Sequence, residues 1–537
     1  MIDPLTVDIE SSRALHTGFL RCRNISASRP ALEVEGRVYT YGELYAEAAR
    51  FAAALERSAV PRPHMVAIFA DHSLTAFAGI LGALLVGATY VPMNRRFPAA
   101  RCARMCELAG VDAAIVDRRG LVHAAETLDH IDIQPSVIFG DDAASAAGAG
   151  WIRAFSTLDT APSFTPRTVL SDHAAYLLFT SGTTGTPKGV AVTHANAAHY
   201  VDALRHRFPV RETDRCSQTF DLTFDLSVHD MFVTWSAGAC LVVPGPMDLL
   251  TPLKFIRDRA ISVWFSVPSL AALARRRGAM QPNSLPTLRL SQFCGEPLPS
   301  QIAAAWSIAA PESLVVNLYG PTELTIACLS HVFARDPVSD PDGFVPIGRP
   351  LDGLGCALLR DAVESAGANS SPEQARELLV CGPQTVPGYW RDAERTAERF
   401  VHLLCEDGNT RTFYKTGDLV RRLDDGTYCY VGRADTQVKI GGFRVELGEI
   451  EGVIAGHPGV TQVAALAWPP LPASQDSIVA FIAATDMLDE AGLRASLRAR
   501  LPDYMQPRRI VQSATLPLNN NGKIDRAALQ ALLMEGS

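Results

Sequence analysis

The stretch Phe179-Thr-Ser-Gly-Thr-Thr-Gly-Thr-Pro-Lys-Gly-Val190 sets three glycines and one lysine among hydroxyl residues, directly after the apolar run Ala174-Ala-Tyr-Leu-Leu-Phe179. The run reads as a strand. Gly182, Gly185 and Gly189 let the backbone turn sharply and come close to a ligand. Successive amide N–H groups in such a turn form an anion-binding concavity. Thr180, Ser181, Thr183 and Thr184 add hydroxyl donors, and Lys188 adds a point charge, so the implied ligand is a polyphosphate. In the common phosphate loop the lysine opens a helix. Here Thr186-Pro187 precede Lys188, and the proline forbids that start. A Gly/Thr-rich surface turn is the plainer alternative for this stretch taken alone.

Outward from the loop, apolar runs such as Met65-Val-Ala-Ile-Phe69, Ala239-Cys-Leu-Val-Val243, Val263-Trp-Phe-Ser-Val267 and Leu314-Val-Val316 alternate with Ala-rich helical stretches. That alternation predicts an α/β protein with mainly parallel sheets. After about Asp435 short strands pair with helices, as expected for a small α+β domain. Asp141–Gly150 and Asp361–Ser371 read as surface loops. Thr75–Met93 has no charge over 19 residues. It is rich in Gly, Ala and Thr and ends in a strand-like segment, so a buried helix running into a strand is expected, not a membrane span.

The chain has 537 residues, 47% of them hydrophobic and 20% charged, with a net charge of −8. That size implies several domains, and the acidic balance argues against nucleic acid as a partner. Eleven cysteines are scattered singly, which reads as reduced thiols in a cytosol. The acidic N-terminal segment has no signal-peptide pattern.

"SGTTGTPKG" resembles the phosphate-loop signature of adenylate-forming enzymes, the superfamily of acyl-CoA synthetases, luciferases and the amino-acid-activating domains of nonribosomal peptide synthesis. "YTYGEL" (Tyr39–Leu44), "LLVGATYVPMN" (Leu84–Asn94), "FDLSVHDMF" (Phe224–Phe232), "NLYGPTE" (Asn317–Glu323) and "YKTGDL" (Tyr414–Leu419) follow the family order. "GRADTQVKIGGFRVELGEIE" (Gly432–Glu451), "LPDYMQP" (Leu501–Pro507) and "NGKIDR" (Asn521–Arg526) complete it. The resemblance covers nearly the whole chain. It implies a large N-terminal core over 1–434, built of stacked, mainly parallel sheets with helices and a small β-barrel part. A small mobile α+β domain would occupy 435–537, hinged at Asp435.

The implied reaction has two halves. A carboxylate attacks the α-phosphorus of ATP, giving an acyl-adenylate and pyrophosphate, and a thiol then takes the acyl group. Positioning and cationic groups must offset the repulsion of two anions. By the resemblance, Thr180, Ser181, Gly182, Thr183, Thr184, Gly185 and Lys188 hold ATP's phosphates. Tyr319 stacks on the adenine, Asn317 and Gly320 also bind ATP, Asp418 takes the ribose hydroxyls, and Arg433 sits near phosphate and ribose. Thr322 bonds the α-phosphate and Glu323 holds Mg²⁺, which prefers carboxylate and phosphate oxygens. Lys523 is the implied catalytic cation, stabilising charge that develops in the transition state. Taken alone it reads as a solvated loop lysine. Asp435 is the hinge at which the small domain turns after adenylation and exchanges Lys523 for a thioester-forming face. Many relatives carry Arg or Lys where this chain has Gly441, a departure expected to alter contact with the incoming thiol.

Asp225 implies an amino acid, because the matching aspartate in amino-acid-activating relatives pairs with the α-ammonium. The implied pocket is Leu226, His229, Phe265, Gln292, Cys294, Gly295, Leu318, Ile326 and Ala327. "VWFSVPS" and "FCGEPLP" are similar to D-alanine–carrier protein ligases. A small side chain such as alanine, glycine or serine is expected, with Cys294 as packing. His229 and Gln292 sit awkwardly with that and suggest a polar side chain. No carrier segment follows "NGKIDR", so the expected acceptor is a phosphopantetheine arm on a separate carrier protein. Arg494, Arg498, Arg500, Arg508 and Arg509 are candidates to meet such an acidic partner. An acyl-CoA ligase and an inactive adenylate-binding scaffold are the alternatives.

Overall fold

The computed structural model describes residues 13–57, 63–132, 135–140, 152–154, 164–182, 187–334, 343–359, 375–405, 407–469, 477–484, 488–519 and 523–535. Asp141–Gly150 and Asp361–Ser371 lie outside the described residues.

The uncharged stretch is indeed a helix, Leu74–Leu85, followed by the strand Thr89–Pro92. Ser73 caps the helix by accepting from Ala76 N, and every helix residue from Thr75 onward is buried. Its small residues have a packing cause: a Cβ added at Gly82 would lie 2.7 Å from Phe51 Cβ. Two helices, Leu74–Leu85 and Tyr41–Glu56, therefore approach at backbone distance. The second begins at "YTYGEL", where Thr40 and Glu43 form a capping box. That motif is structural. No helix among the described residues is long and apolar enough to cross a membrane.

Two large sheets organise the N-terminal part. In the nine-stranded sheet the run Cys240–Val242, Arg215–Ser217, Val263–Ser266, Leu290–Phe293 and Leu314–Tyr319 is parallel. The seven-stranded sheet is parallel until its last pair, Ala174–Thr180 with Lys188–Thr193. The glycine-rich stretch thus joins two antiparallel strands, and Lys188 opens a strand, not a helix. The expected small β part of the N-terminal core is a five-stranded antiparallel sheet built around the strand Thr410–Arg422.

Beyond Asp435 comes the hairpin Gln437–Ile440 with Phe443–Glu446, then the helix Leu447–Ala455. A three-stranded sheet and the helices Glu490–Arg500 and Arg526–Glu535 complete an α+β C-terminal domain. The hairpin is driven into the N-terminal part: Phe443 lies 4.9 Å from Phe224, and Gly442 sits so close to Val267 that a Cβ would be 2.7 Å from it.

Candidate active site

The site lies at the carboxyl ends of the parallel strands, where α/β sheets bind ligands. Phe265, Gln292 and Leu318 are near the ends of three adjacent strands, and all are buried. Cys294 and Gly295 follow the middle strand. Gly320 follows the third, and its bare Cα is required because a Cβ would fall 2.6 Å from Ala327 Cα.

Asp225 precedes the helix Leu226–Ser236 and is almost fully buried. Its Oδ2 accepts from Ile326 N at 3.1 Å. Burial pushes its carboxyl up to about 6, although the Ile326 amide and the Thr322 hydroxyl pull it down. Arg444 acts on it only at a distance, and among the described residues Asp225 has no ion-pair partner of the kind a buried carboxylate normally has.

The wall opposite is held by backbone in an uncommon conformation. Thr325 and Ile326 have φ of 56° and 72°, which β-branched residues rarely adopt. Buried Gln384 compensates. Its Nε2 donates to the carbonyls of Leu324 (3.1 Å), Thr325 (3.3 Å) and Ala327 (2.8 Å). Gln384→Leu keeps the volume and strands these acceptors, so it is expected to cost about 1–3 kcal/mol in denaturant unfolding.

His229 and Gln292 are buried among protein groups. Tyr200 and His229 share a hydrogen bond, Oη to Nδ1, of 2.7 Å, and Phe265 lies against the imidazole at 4.2 Å between ring centroids. Gln292 also bonds the ring, and burial pulls the imidazole down to about 3. The polar groups that suggested a polar side chain thus largely satisfy one another, although Gln292 Oε1 has no partner among the described residues. Burial pushes the Cys294 thiol up to about 12, which leaves it a packing group. Leu226, Ile326 and Ala327 are also buried here.

On the nucleotide side, Tyr319 donates its hydroxyl to Asp418 Oδ2. Arg433 bridges Asp418 (2.6 Å) and Asp435 (2.7 Å). Asn317 donates to the carbonyls of Val345 and Pro346 at 3.2 and 2.9 Å, which makes it a brace for its strand. Thr180 Oγ1 is buried without a partner among the described residues. Thr183, Thr184 and Gly185 lie outside the described residues.

The face that the C-terminal domain turns inward was not read from the sequence. Arg444 reaches Glu323 Oε2 at 2.7 Å, while Lys188 (3.3 Å) and the Tyr389 hydroxyl (2.8 Å) take Oε1. Against the upward push of burial, Arg444 and Lys188 hold the Glu323 carboxyl well below the usual range. Lys188 is itself lowered to about 8, because burial and Arg444 outweigh its pairing with Glu323. Arg444 and Lys188 thus share the neutralisation of Glu323. Lys439, directly across the hairpin from Arg444, lies on the same face within electrostatic reach of Asp418 and Cys294. Ser181 Oγ donates to Arg444 O at 2.9 Å and accepts from Glu446 N at 3.1 Å. Gly182 N donates to Glu449 Oε2 at 3.2 Å, and Glu449 is paired with buried Arg101.

Two of the expected site residues are engaged or placed elsewhere in this domain arrangement. Glu323 is not open to a metal, because both its oxygens are engaged and a guanidinium is bound to one; in this domain arrangement the residues do not fit Mg²⁺. Lys523 is exposed on a turn, where its amide donates to Asn519 Oδ1 at 3.1 Å. The structure brings Arg444 and Lys439 into the site and leaves Lys523 outside it. The signal for the missed cations lay inside "QVKIGGFRVELGEIE", but its meaning depends on docking between distant segments. Gly441 has φ 56° with open space where a Cβ would go, so the first carbon of a side chain there would meet no atom, only an unfavourable backbone.

The chain matches the AMP-binding enzyme family over residues 21–390 and the AMP-binding enzyme C-terminal domain over 449–523. It belongs to that family and is an adenylate-forming ligase. It is similar to an L-proline–[L-prolyl-carrier protein] ligase of Streptomyces coelicolor, 32% identical over 93% of each chain. It is equally similar, 32% over 98% of its length, to a dimodular nonribosomal peptide synthase of Bacillus subtilis, of which it spans 21%. Among solved structures, the Vibrio cholerae adenylation domain AlmE in complex with glycyl-adenosine-5'-phosphate superposes with TM-score 0.85 at 31% identity, covering 97% of this chain and 98% of that one.

Proposed function

We propose that the protein activates a small α-amino acid as its aminoacyl-adenylate, with release of pyrophosphate, and passes the aminoacyl group to the phosphopantetheine thiol of a separate carrier protein. The observation that carries this reading is Asp225, a buried carboxylate with no ion-pair partner among the described residues, at the carboxyl ends of the strands. An α-ammonium supplies what it lacks. The packed Tyr200, His229 and Phe265 group would close the deep end of a side-chain pocket, a reading that favours glycine or alanine. The glycyl-adenylate bound by the Vibrio cholerae domain supports the same choice.

Lys188 and the amides of the glycine-rich loop would hold the phosphates of ATP, and Asp418 and Arg433 the ribose. Attack by the substrate carboxylate forms the bond to the α-phosphorus, and pyrophosphate leaves. The hinge is assigned to Asp435, which Arg433 and Arg399 clamp in this arrangement. A cavity of about 630 Å³ lies between the two parts of the protein, lined by Phe224, Leu226, Val267, Gly441, Gly442 and Phe443 among others. It is suited to an extended arm approaching Asp225's neighbours.

Amino-acid-dependent pyrophosphate release across the proteinogenic amino acids, D-alanine and aryl acids tests the first half. Thioester formation on a phosphopantetheinylated carrier, against free coenzyme A, tests the second. A signal from glycine or alanine, with transfer to a carrier, is expected. A signal only from acids lacking the amino group would overturn the substrate class, and transfer to coenzyme A alone would overturn the acceptor. Arg498 and Arg500 are exposed at the end of their helix, whereas Arg494 is paired with Glu490 at 2.8 Å. Arg498→Glu with Arg500→Glu is expected to slow carrier loading severalfold and spare adenylate formation, as electrostatic docking requires. Equal loading rates would remove the patch.

A further inference from the structure

We propose that Tyr389 is a positioning residue for the first half of the reaction. Its ring and hydroxyl hold the Lys188 ammonium off Glu323, so that the lysine meets the phosphates of ATP instead of closing into a tight pair with that carboxylate. Tyr389 lies 201 residues beyond Lys188 and 66 beyond Glu323 in the chain. The inference rests on the adenylation reading above, in which Lys188 holds the phosphates.

Three observations carry it. First, Tyr389 and Lys188 share one oxygen of Glu323. The tyrosine hydroxyl donates to Oε1 at 2.8 Å, and the ammonium stands off at 3.3 Å. A direct ammonium–carboxylate hydrogen bond closes to about 2.7–2.9 Å, so the hydroxyl holds the nearer place and the lysine the farther. Second, the ammonium has another seat. Its Nζ lies 4.9 Å from the centre of the Tyr389 ring and 3.4 Å from the hydroxyl oxygen. An aromatic face attracts a cation without engaging one particular proton, and an ammonium has three to give. Lys188, Glu323 and Tyr389 are all buried, so little water competes for these contacts. Third, the backbone around Tyr389 is tied to both partners. Val386 N donates to Glu323 O at 3.1 Å, and Trp390 N donates to Gly189 O at 2.8 Å. Tyr389 itself is bridged to Val190. Its amide donates to Thr396 Oγ1 at 2.9 Å, and Phe400 stands edge-on to its ring with centroids 5.7 Å apart. Residues 386–390 thus set the strand of Lys188 against the turn of Glu323.

The result is a lysine held near an anion but not bound tightly by it. A phosphate oxygen arriving at Lys188 competes only with a stand-off pair and an aromatic face. Without the hydroxyl the ammonium can close onto Oε1, and drawing it away again would weaken ATP binding. Arg444 binds the other oxygen of Glu323, Oε2, and leaves the lysine's side of the carboxylate to Tyr389.

The test is a double-mutant cycle on the full-length protein: wild type, Tyr389→Phe, Lys188→Met and the two together, with Tyr389→Leu as a further single variant. Calorimetry reads the Kd for ATP. Amino-acid-dependent pyrophosphate release reads kcat and the KM for ATP and for the amino acid. Tyr389→Phe keeps the ring and loses the hydroxyl, and is expected to raise Kd and KM for ATP about threefold. Tyr389→Leu loses both and is expected to raise them about tenfold. KM for the amino acid should not change, because Asp225 is untouched. With Lys188→Met already in place, Tyr389→Phe should have no further effect on ATP, the non-additivity of residues that act through one another. Phenylalanine fills the same space, so the cycle stands even if the leucine variant unfolds early. Effects of the two substitutions that multiply, or an equal rise in KM for the amino acid, would overturn the inference and leave the adenylation reading standing. If the wild type neither binds ATP nor releases pyrophosphate with any amino acid, both fall.

Discussion

Asp225→Asn is expected to lower kcat/KM for the amino acid by about 100-fold or more, as the loss of one partner from a buried charge pair implies. It should do so without lowering the melting temperature. The wild-type carboxyl is raised to about 6, so above that pH its ionised form in the folded state costs stability, and an amide removes the cost. The same shift sets a pH dependence. The ligand-free site is ionised above about 6 and binds the ammonium. As pH falls through 6 Asp225 takes a proton, and KM for the amino acid should rise about tenfold for each further unit. In Asp225→Asn that rise should vanish. Steady-state kinetics from pH 5 to 8 on both proteins decides it. A KM flat across that range in the wild type would separate Asp225 from the substrate.

Lys523→Ala should divide the reaction. Adenylate formation is expected to fall about 100- to 1,000-fold, the size of effect seen when a cation at a developing charge is removed. Transfer from preformed aminoacyl-adenylate to the carrier should be unchanged, because Lys523 stands outside the site in the arrangement that brings Arg444 and Lys439 in. Its exposure predicts no change in stability. Pyrophosphate exchange measures the first half and single-turnover loading the second. Equal loss in both halves would mean that Lys523 acts on the fold and not on one step.

Much of the fold and part of the site were legible in the sequence. The apolar run before the glycine-rich loop announced its strand. The helix–strand reading of Thr75–Met93 held because small residues without charge fit a helix packed at backbone distance better than a lipid-facing one. Tertiary ties escaped it. Gln384 and Tyr389 sit in "GPQTVPGY", with no pattern to say that one amide would secure a loop some sixty residues earlier. Arg444, Lys439 and Glu449 were quoted within a motif, but the motif does not state which partner each side chain meets. Glu323 shows the limit most clearly. Its chemistry suits a metal, and only the docked hairpin reveals that an arginine claims it here.

The tie from Gln384 to the backbone of Leu324–Ala327 bears on how such proteins can be recombined. Exchanging pocket side chains between relatives, or moving a segment cut between about 330 and 380, would transplant one wall of the substrate site while leaving its fastener behind. A chimera of this protein should therefore carry Gln384 together with Thr322–Ala327. The inherited unit of specificity is a pair of segments far apart in the chain, not a single cassette.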